Sequence, residues 1–222
     1  MGSFLRGLAL GIVATAAVLI GFAFLFRGVL PMILGTPTPD IPKDVVAEAS
    51  TSTKELHDQI LKELPFSNTQ DFDFAARGFI ATRDDPLIKD DSGKVVFNLN
   101  AYAFAKGDAP ETVNPSLWRQ AQLLTKHGLY KVAEHIYQVR GFDVSTVSFI
   151  EGDTGYIVVD PLLSVETARA ALALVKKHLG DKPVVAVIYS HSHGDHFGGV
   201  VGVISEADVK AGRVKVLAPD GF

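Results

Sequence analysis

The chain contains no cysteine. That excludes disulfide staples, and it excludes any metal site built on thiolate sulfur. It says little about compartment. Tryptophan occurs once. The first 35 residues carry no acidic side chain, so the negative charge lies in the part that follows them; the net value for the whole chain is −4. That part has no basic stripe and no interleaving of aromatic with basic residues, so nucleic acid is excluded as a partner. With 222 residues, 47% of them hydrophobic, the chain can build one sizeable domain and a short extra region.

Charge is also missing from Leu8 to Phe26, between Arg6 and Arg27. In a helix, these roughly nineteen residues at ~1.5 Å each extend about 28 Å, close to a bilayer's ~30 Å hydrocarbon core. The run is longer than a signal-peptide core of ~7–15 residues. Residues 1–35 therefore read as an N-terminal transmembrane anchor or signal, with an uncleaved anchor favoured and the body periplasmic or otherwise extracytoplasmic. Residues 36–43 are a Pro-rich linker. Residues 44–129 form a helical and irregular extension. Within it Val45–Leu64 predicts helix with Ser52 or Thr53 as a cap, Asp71–Phe104 reads as irregular, and Asp90–Lys94 is a turn. Asn114 opens a short helix that carries Trp118 as a packing anchor. His57 reads as a solvated surface residue.

From residue 130 the pattern changes to strands. Val132–Val139, Val147–Glu151 and Tyr156–Val159 predict successive strands, with Gly152–Gly155 a hairpin turn. Ser164 caps a helix that runs to about His178 and ends at Gly180. Pro183–Tyr189 is apolar throughout, as a strand buried on both faces requires. Gly198–Ala207 predicts a short helix and Val214–Ala218 a last strand. The fold class is α/β, with its functional loop at the carboxyl end of a strand.

That loop reads Ser190-His191-Ser192-His193-Gly194-Asp195-His196-Phe197-Gly198-Gly199. His191 and His193 lie two apart, so extended backbone puts both rings on one side. Asp195 and His196 follow the Gly194 turn and can face a second ion. Imidazole and carboxylate suit zinc, iron or manganese. A polar loop with chance histidines is the competing reading, but the chain has seven histidines in all and three fall here. A zinc finger needs a closed ligand set on two elements. Asp160, ending the neighbouring strand, reads as an acceptor that orients a metal-bound histidine.

The His-x-His-x-Asp-His-x-Gly-Gly pattern after a buried strand resembles the metallo-β-lactamase superfamily signature. Ser190 stands where a threonine is usual and keeps the hydroxyl. Asn114–Gln120, Ile136–Asp143 and Ile150–Gly155 resemble the alkyl sulfatases of that superfamily. The resemblance implies the first half of an αββα sandwich over residues 130–222. It also implies two zinc ions per complete site, with His191 and His193 on one and Asp195 and His196 on the other. Asp195 is then also the catalytic carboxylate, Ser190 and Asp160 support the ligands from behind, and a water with lowered pKa hydrolyses an alkyl sulfate ester of the dodecyl sulfate type. Family members complete both metal shells with Glu and His residues further downstream. On that reading this chain is an incomplete piece that binds zinc weakly, turns over little alone and has an uncovered apolar sheet face; homodimers belong to the full-length form. A lactonase, a thioesterase, or a non-catalytic membrane-anchored remnant are the alternatives.

Overall fold

The structure is a computed structural model that describes residues 47–222. The anchor predicted over Leu8–Phe26 and the linker at 36–43 lie outside these residues. Among the described residues no helix is long and apolar enough to cross a membrane.

Helix α1 spans Thr51–Glu63. Its cap is Ser50, two residues before the earlier of the two expected positions: the Ser50 hydroxyl accepts from the Thr53 amide at 3.2 Å and so satisfies one of the open donors of the first turn. The stretch after it is more ordered than its composition suggests. It holds helix α2 (Gln70–Ala76) and strands β1 (Phe79–Ala81), β2 (Leu87–Lys89) and β3 (Val95–Asn98). The predicted turn at Asp90–Lys94 joins β2 to β3, and the Asp90 side chain accepts from Ser92 and Lys94 amides. Helix α3 (Pro115–Leu124) starts on an Asn114 cap with Pro115 in its first turn, where a missing amide costs nothing.

The main sheet has seven strands in the order β1-β4-β5-β6-β7-β8-β9. These are β4 (Gly128–Ala133), β5 (Ile136–Arg140), β6 (Val147–Glu151), β7 (Tyr156–Val159), β8 (Val184–Ile188) and β9 (Lys215–Leu217). The run expected as one strand over 132–139 is in fact two. The chain reverses at Glu134-His135, with His135 at φ 59, a left-handed conformation that a histidine adopts only occasionally. The sheet also ignores a boundary at 129/130: β4 begins at Gly128, and β1 from the extension pairs with it antiparallel.

β4 to β7 pair antiparallel in sequence, and β7, β8 and β9 pair parallel. Alternate strands of a meander point the same way, so β5, β7 and β8 all end at one edge of the sheet. Between β7 and β8 runs helix α4 (Val165–Leu179), capped by Ser164 and closed by Gly180 at φ 116. Ala168, Ala171, Leu174 and Val175 recur at helical spacing and are buried with Val139, Phe149 and Val158 of the sheet. Burying the leucine, valine and phenylalanine side chains among them contributes roughly 1.5–3 kcal/mol each. The alternation of β5 to β8 sends Ile150, Ile157, Val159 and Ile188 to the opposite face, where they are only half-buried.

Beyond β8 the predicted helix over 198–207 is broken up. A four-residue helix α5 (Gly194–Phe197), a 3₁₀ turn (Val200–Gly202) and helix α6 (Glu206–Lys210) take its place. Close packing is the reason. A β-carbon on Gly198 would stand 2.3 Å from the Leu163 carbonyl, and one on Gly199 would stand 2.2 Å from that of Pro161. The backbone is pressed against the loop that precedes α4.

Candidate metal centre

The loop between β8 and α5 lies at the carboxyl edge of the sheet and gathers three imidazoles. The His191 and His193 ring centres are 4.7 Å apart, and those of His191 and His196 are 4.1 Å apart. Asp195 joins them, with its Oδ2 3.3 Å from His196 Nε2. All four predicted ligands are therefore neighbours.

Asp160 sets their orientation. Its carboxylate accepts from the Ser190 amide at 2.8 Å, from the Ser190 hydroxyl at 2.6 Å and from His196 Nδ1 at 3.0 Å. The Ser190 hydroxyl has one proton and gives it to Asp160, so at 2.8 Å it accepts from His191 Nδ1. Both His191 and His196 thus carry hydrogen on Nδ1 and present the lone pair of Nε2. One carboxylate selects the tautomer of two rings, directly for His196 and through Ser190 for His191. Burial alone would raise the Asp160 carboxyl; the Ser190 hydroxyl and amide and the His196 ring outweigh it and hold the group below the usual carboxylate value. Asp160 itself sits at φ 55. A left-handed aspartate at the end of a strand is backbone strain located at a site.

This donor set fits a divalent cation: three imidazoles, two of them with Nδ1 tied to an acceptor, a carboxylate beside them, and half the set open to solvent. Among the described residues, however, no three His, Cys, Asp or Glu side chains converge closely enough to hold an ion as they stand. The other histidines make their contacts elsewhere. His127 Nδ1 is 2.8 Å from the Thr82 hydroxyl, and burial lowers its pKa. His135 sits at the opposite sheet edge, 3.8 Å from Glu151. His57, expected at the surface, is half-buried with its ring 3.1 Å from the Glu111 carbonyl. It lines a cavity of about 500 Å³ with Phe66, Phe72, Trp118 and Arg119, and no residue of the metal loop takes part in it. Trp118 anchors its helix there by donating to the Gly107 carbonyl at 2.9 Å.

Two residues of the centre escaped the sequence reading. Ser145 donates its hydroxyl to the backbone carbonyl of Asp195. Asp143 accepts from the Leu163 and Ser164 amides at 3.2 and 3.3 Å and from the Thr167 hydroxyl at 2.5 Å. Both belong to the β5–β6 loop. The only available signal was topological: a loop following a strand parallel to β7 must fall at the same sheet edge.

Residues 140–222 match the metallo-beta-lactamase superfamily. A linear primary-alkylsulfatase of Pseudomonas sp. is 53% identical over 176 residues, which are 78% of this chain and 26% of that protein. An alkyl/aryl-sulfatase of Saccharomyces cerevisiae is 48% identical over 79% of this chain and 27% of its own length. Among solved structures, the stereoselective inverting sec-alkylsulfatase of Pseudomonas sp. superposes with a TM-score of 0.75 at 52% identity, over 79% of this chain and 28% of that one. The chain thus spans about a quarter of the length of these relatives. The family implies a divalent metal, usually zinc. With its signature loop, its supporting aspartate and its sheet all in place, the chain carries a metallo-β-lactamase superfamily domain over residues 140–222 and is similar to alkylsulfatases over 78% of its length.

Proposed function

We propose that this chain carries part of the active site of a zinc-dependent alkyl sulfatase, which hydrolyses alkyl sulfate esters to alcohol and sulfate. The observation that carries the reading is the Asp160–Ser190–His191/His196 network, set in a chain 53% identical to a linear primary-alkylsulfatase. His191 and His193 would hold one ion, Asp195 and His196 the other, in the first half of an αββα sandwich. Zinc, when bound, lowers the pKa of water and offsets the charge of the leaving sulfate. The chain's own contribution is orientation: Asp160 keeps the Nε2 lone pairs of His191 and His196 aimed outward, and Asp195 supplies the carboxylate beside them. The run at 8–26 would anchor an extracytoplasmic body to a membrane, and dimerisation would belong to the longer form.

Zinc content and sulfate release from dodecyl sulfate test this reading. They should be measured on this chain and on a chimera that extends it with the rest of the Pseudomonas sp. primary-alkylsulfatase. The chimera is expected to bind two zinc ions and release sulfate, and this chain to bind zinc weakly and turn over little. A chimera that folds but neither binds zinc nor releases sulfate refutes the assignment. Robust turnover by this chain alone refutes the division of ligands.

A further inference from the structure

We propose that Asp143 and Ser145 are positioning residues that brace the metal loop from the neighbouring β5–β6 loop. The inference rests on the reading of residues 191–196 as metal ligands. Ser145 acts directly, since its hydroxyl ends on the carbonyl of Asp195 itself. The contact spans 50 positions in the chain and holds the backbone of the one acidic ligand. Asp143 acts from below. One oxygen accepts from the Val144 amide at 2.6 Å and fixes its own turn. The other collects the Leu163 and Ser164 amides and the Thr167 hydroxyl. Thr167 is buried, with 1% of its surface exposed, so this bond lies at the closed end of the network. An aspartate here also faces the positive end of α4.

The floor that Asp143 clamps is the floor on which the metal loop rests. Residues 160–164 contain two non-glycine residues with positive φ, Asp160 and Leu162. Strained backbone of this kind persists only where its surroundings over-determine it. Asp143 holds the 163–164 end of that segment, the Gly199 amide donates to the Leu162 carbonyl at 2.9 Å, and Gly198 and Gly199 leave no room for a shift. The segment 143–145 therefore grips both sides of the centre: the loop that carries Asp160, and the ligand Asp195. Residues one step behind the ligands set metal affinity by holding ligand geometry, with typical losses of 10–100-fold on removal.

Ser145→Ala, Ser145→Thr and Asp143→Asn test the brace in the full chain. Two quantities are read: zinc affinity by competition with a chromophoric chelator, and hydrogen exchange of peptides covering residues 190–199 without metal. Ser145→Ala is expected to lower zinc affinity about tenfold and to speed exchange in 190–199 several-fold, with β5 to β7 unchanged. Ser145→Thr should restore both, because the hydroxyl is retained. Asp143→Asn should speed exchange in 160–167 as well. Unchanged affinity and exchange in Ser145→Ala overturn the brace, as does acceleration spread evenly over the sheet. If the unaltered chain binds no zinc while Ser145→Ala still loosens 190–199, the mechanical brace stands and the metal reading falls.

Discussion

His196 donates from Nδ1 to the carboxylate of Asp160 across 3.0 Å, and this contact ties the end of β7 to the short helix after β8. The two residues are 36 positions apart, yet parallel pairing of β7 with β8 makes them neighbours. The same carboxylate takes both donors of Ser190, so one side chain accepts three hydrogen bonds.

Asparagine at position 160 keeps the size and tolerates the left-handed backbone, but it offers one acceptor oxygen where three donors converge. Asp160→Asn is expected to lower zinc affinity 10–100-fold with little change in the urea midpoint. Asp160→Val should unfold more easily by a further ~1–2 kcal/mol, the cost of a branched residue at positive φ. Equal zinc affinity in Asp160→Asn and the parent chain would contradict the tautomer argument.

Ser190 acts by relaying that carboxylate to His191. Ser190→Thr keeps the hydroxyl and should bind zinc as the parent does. Ser190→Ala frees the His191 ring to adopt either tautomer and should bind about tenfold less tightly. Matching affinities for the two variants would show that the relay has no effect.

A second network governs acid stability. Glu151 accepts from Lys182 at 2.8 Å, with His135 nearby, and the Lys182 hydrogen bond leads the interactions that hold its carboxyl below the usual value. A carboxylate depressed in the folded state stabilises above its unfolded pKa, and that contribution is lost as pH falls through the lowered folded value. Lys182→Met should therefore lower stability most near neutral pH and flatten its fall toward acid, so that the two chains converge as pH drops. Thermal melts between pH 7 and 3 read this directly, and a deficit as large at pH 3 as at pH 7, or none at pH 7, would refute it.

Two glycines separate steric from conformational cost. Gly199 has ordinary negative φ, but an added β-carbon would meet two carbonyl oxygens at 2.2 and 2.6 Å. Gly199→Ala should cost about 3 kcal/mol or more, as overpacking against backbone does. Gly212 has φ +70 and open space around it, so Gly212→Ala should cost only ~1 kcal/mol. Urea titrations that reverse this order would show that the 161–164 segment can yield.

Much of this was legible from local pattern. The strands at 147–151, 156–159 and 184–188 and helix 165–179 are each bounded by their own turn or cap residues, and the four ligands sit within six positions of one another. What could not be read depended on partners far along the chain. The reversal at Glu134-His135 has neither Gly nor Pro to announce it. The helix at 70–76 has no side-chain cap bond. The break after Phe197 is imposed by backbone of residues 161–164, and Ser145 finds Asp195 only once the sheet has formed.

The order of connections bears on the sequence of events in folding. Strands β4 to β7 are joined by short turns, so their pairing closes small loops. β8 reaches β7 only after a fifteen-residue helix has been laid down, a larger closure that comes at greater entropic cost. The imidazole loop is carried by β8 and therefore takes shape late. Contacts absent from the transition state alter the rate of unfolding and leave the rate of folding nearly alone. A cation seated on that loop would accordingly act as a latch, prolonging the life of the folded chain without hastening its arrival.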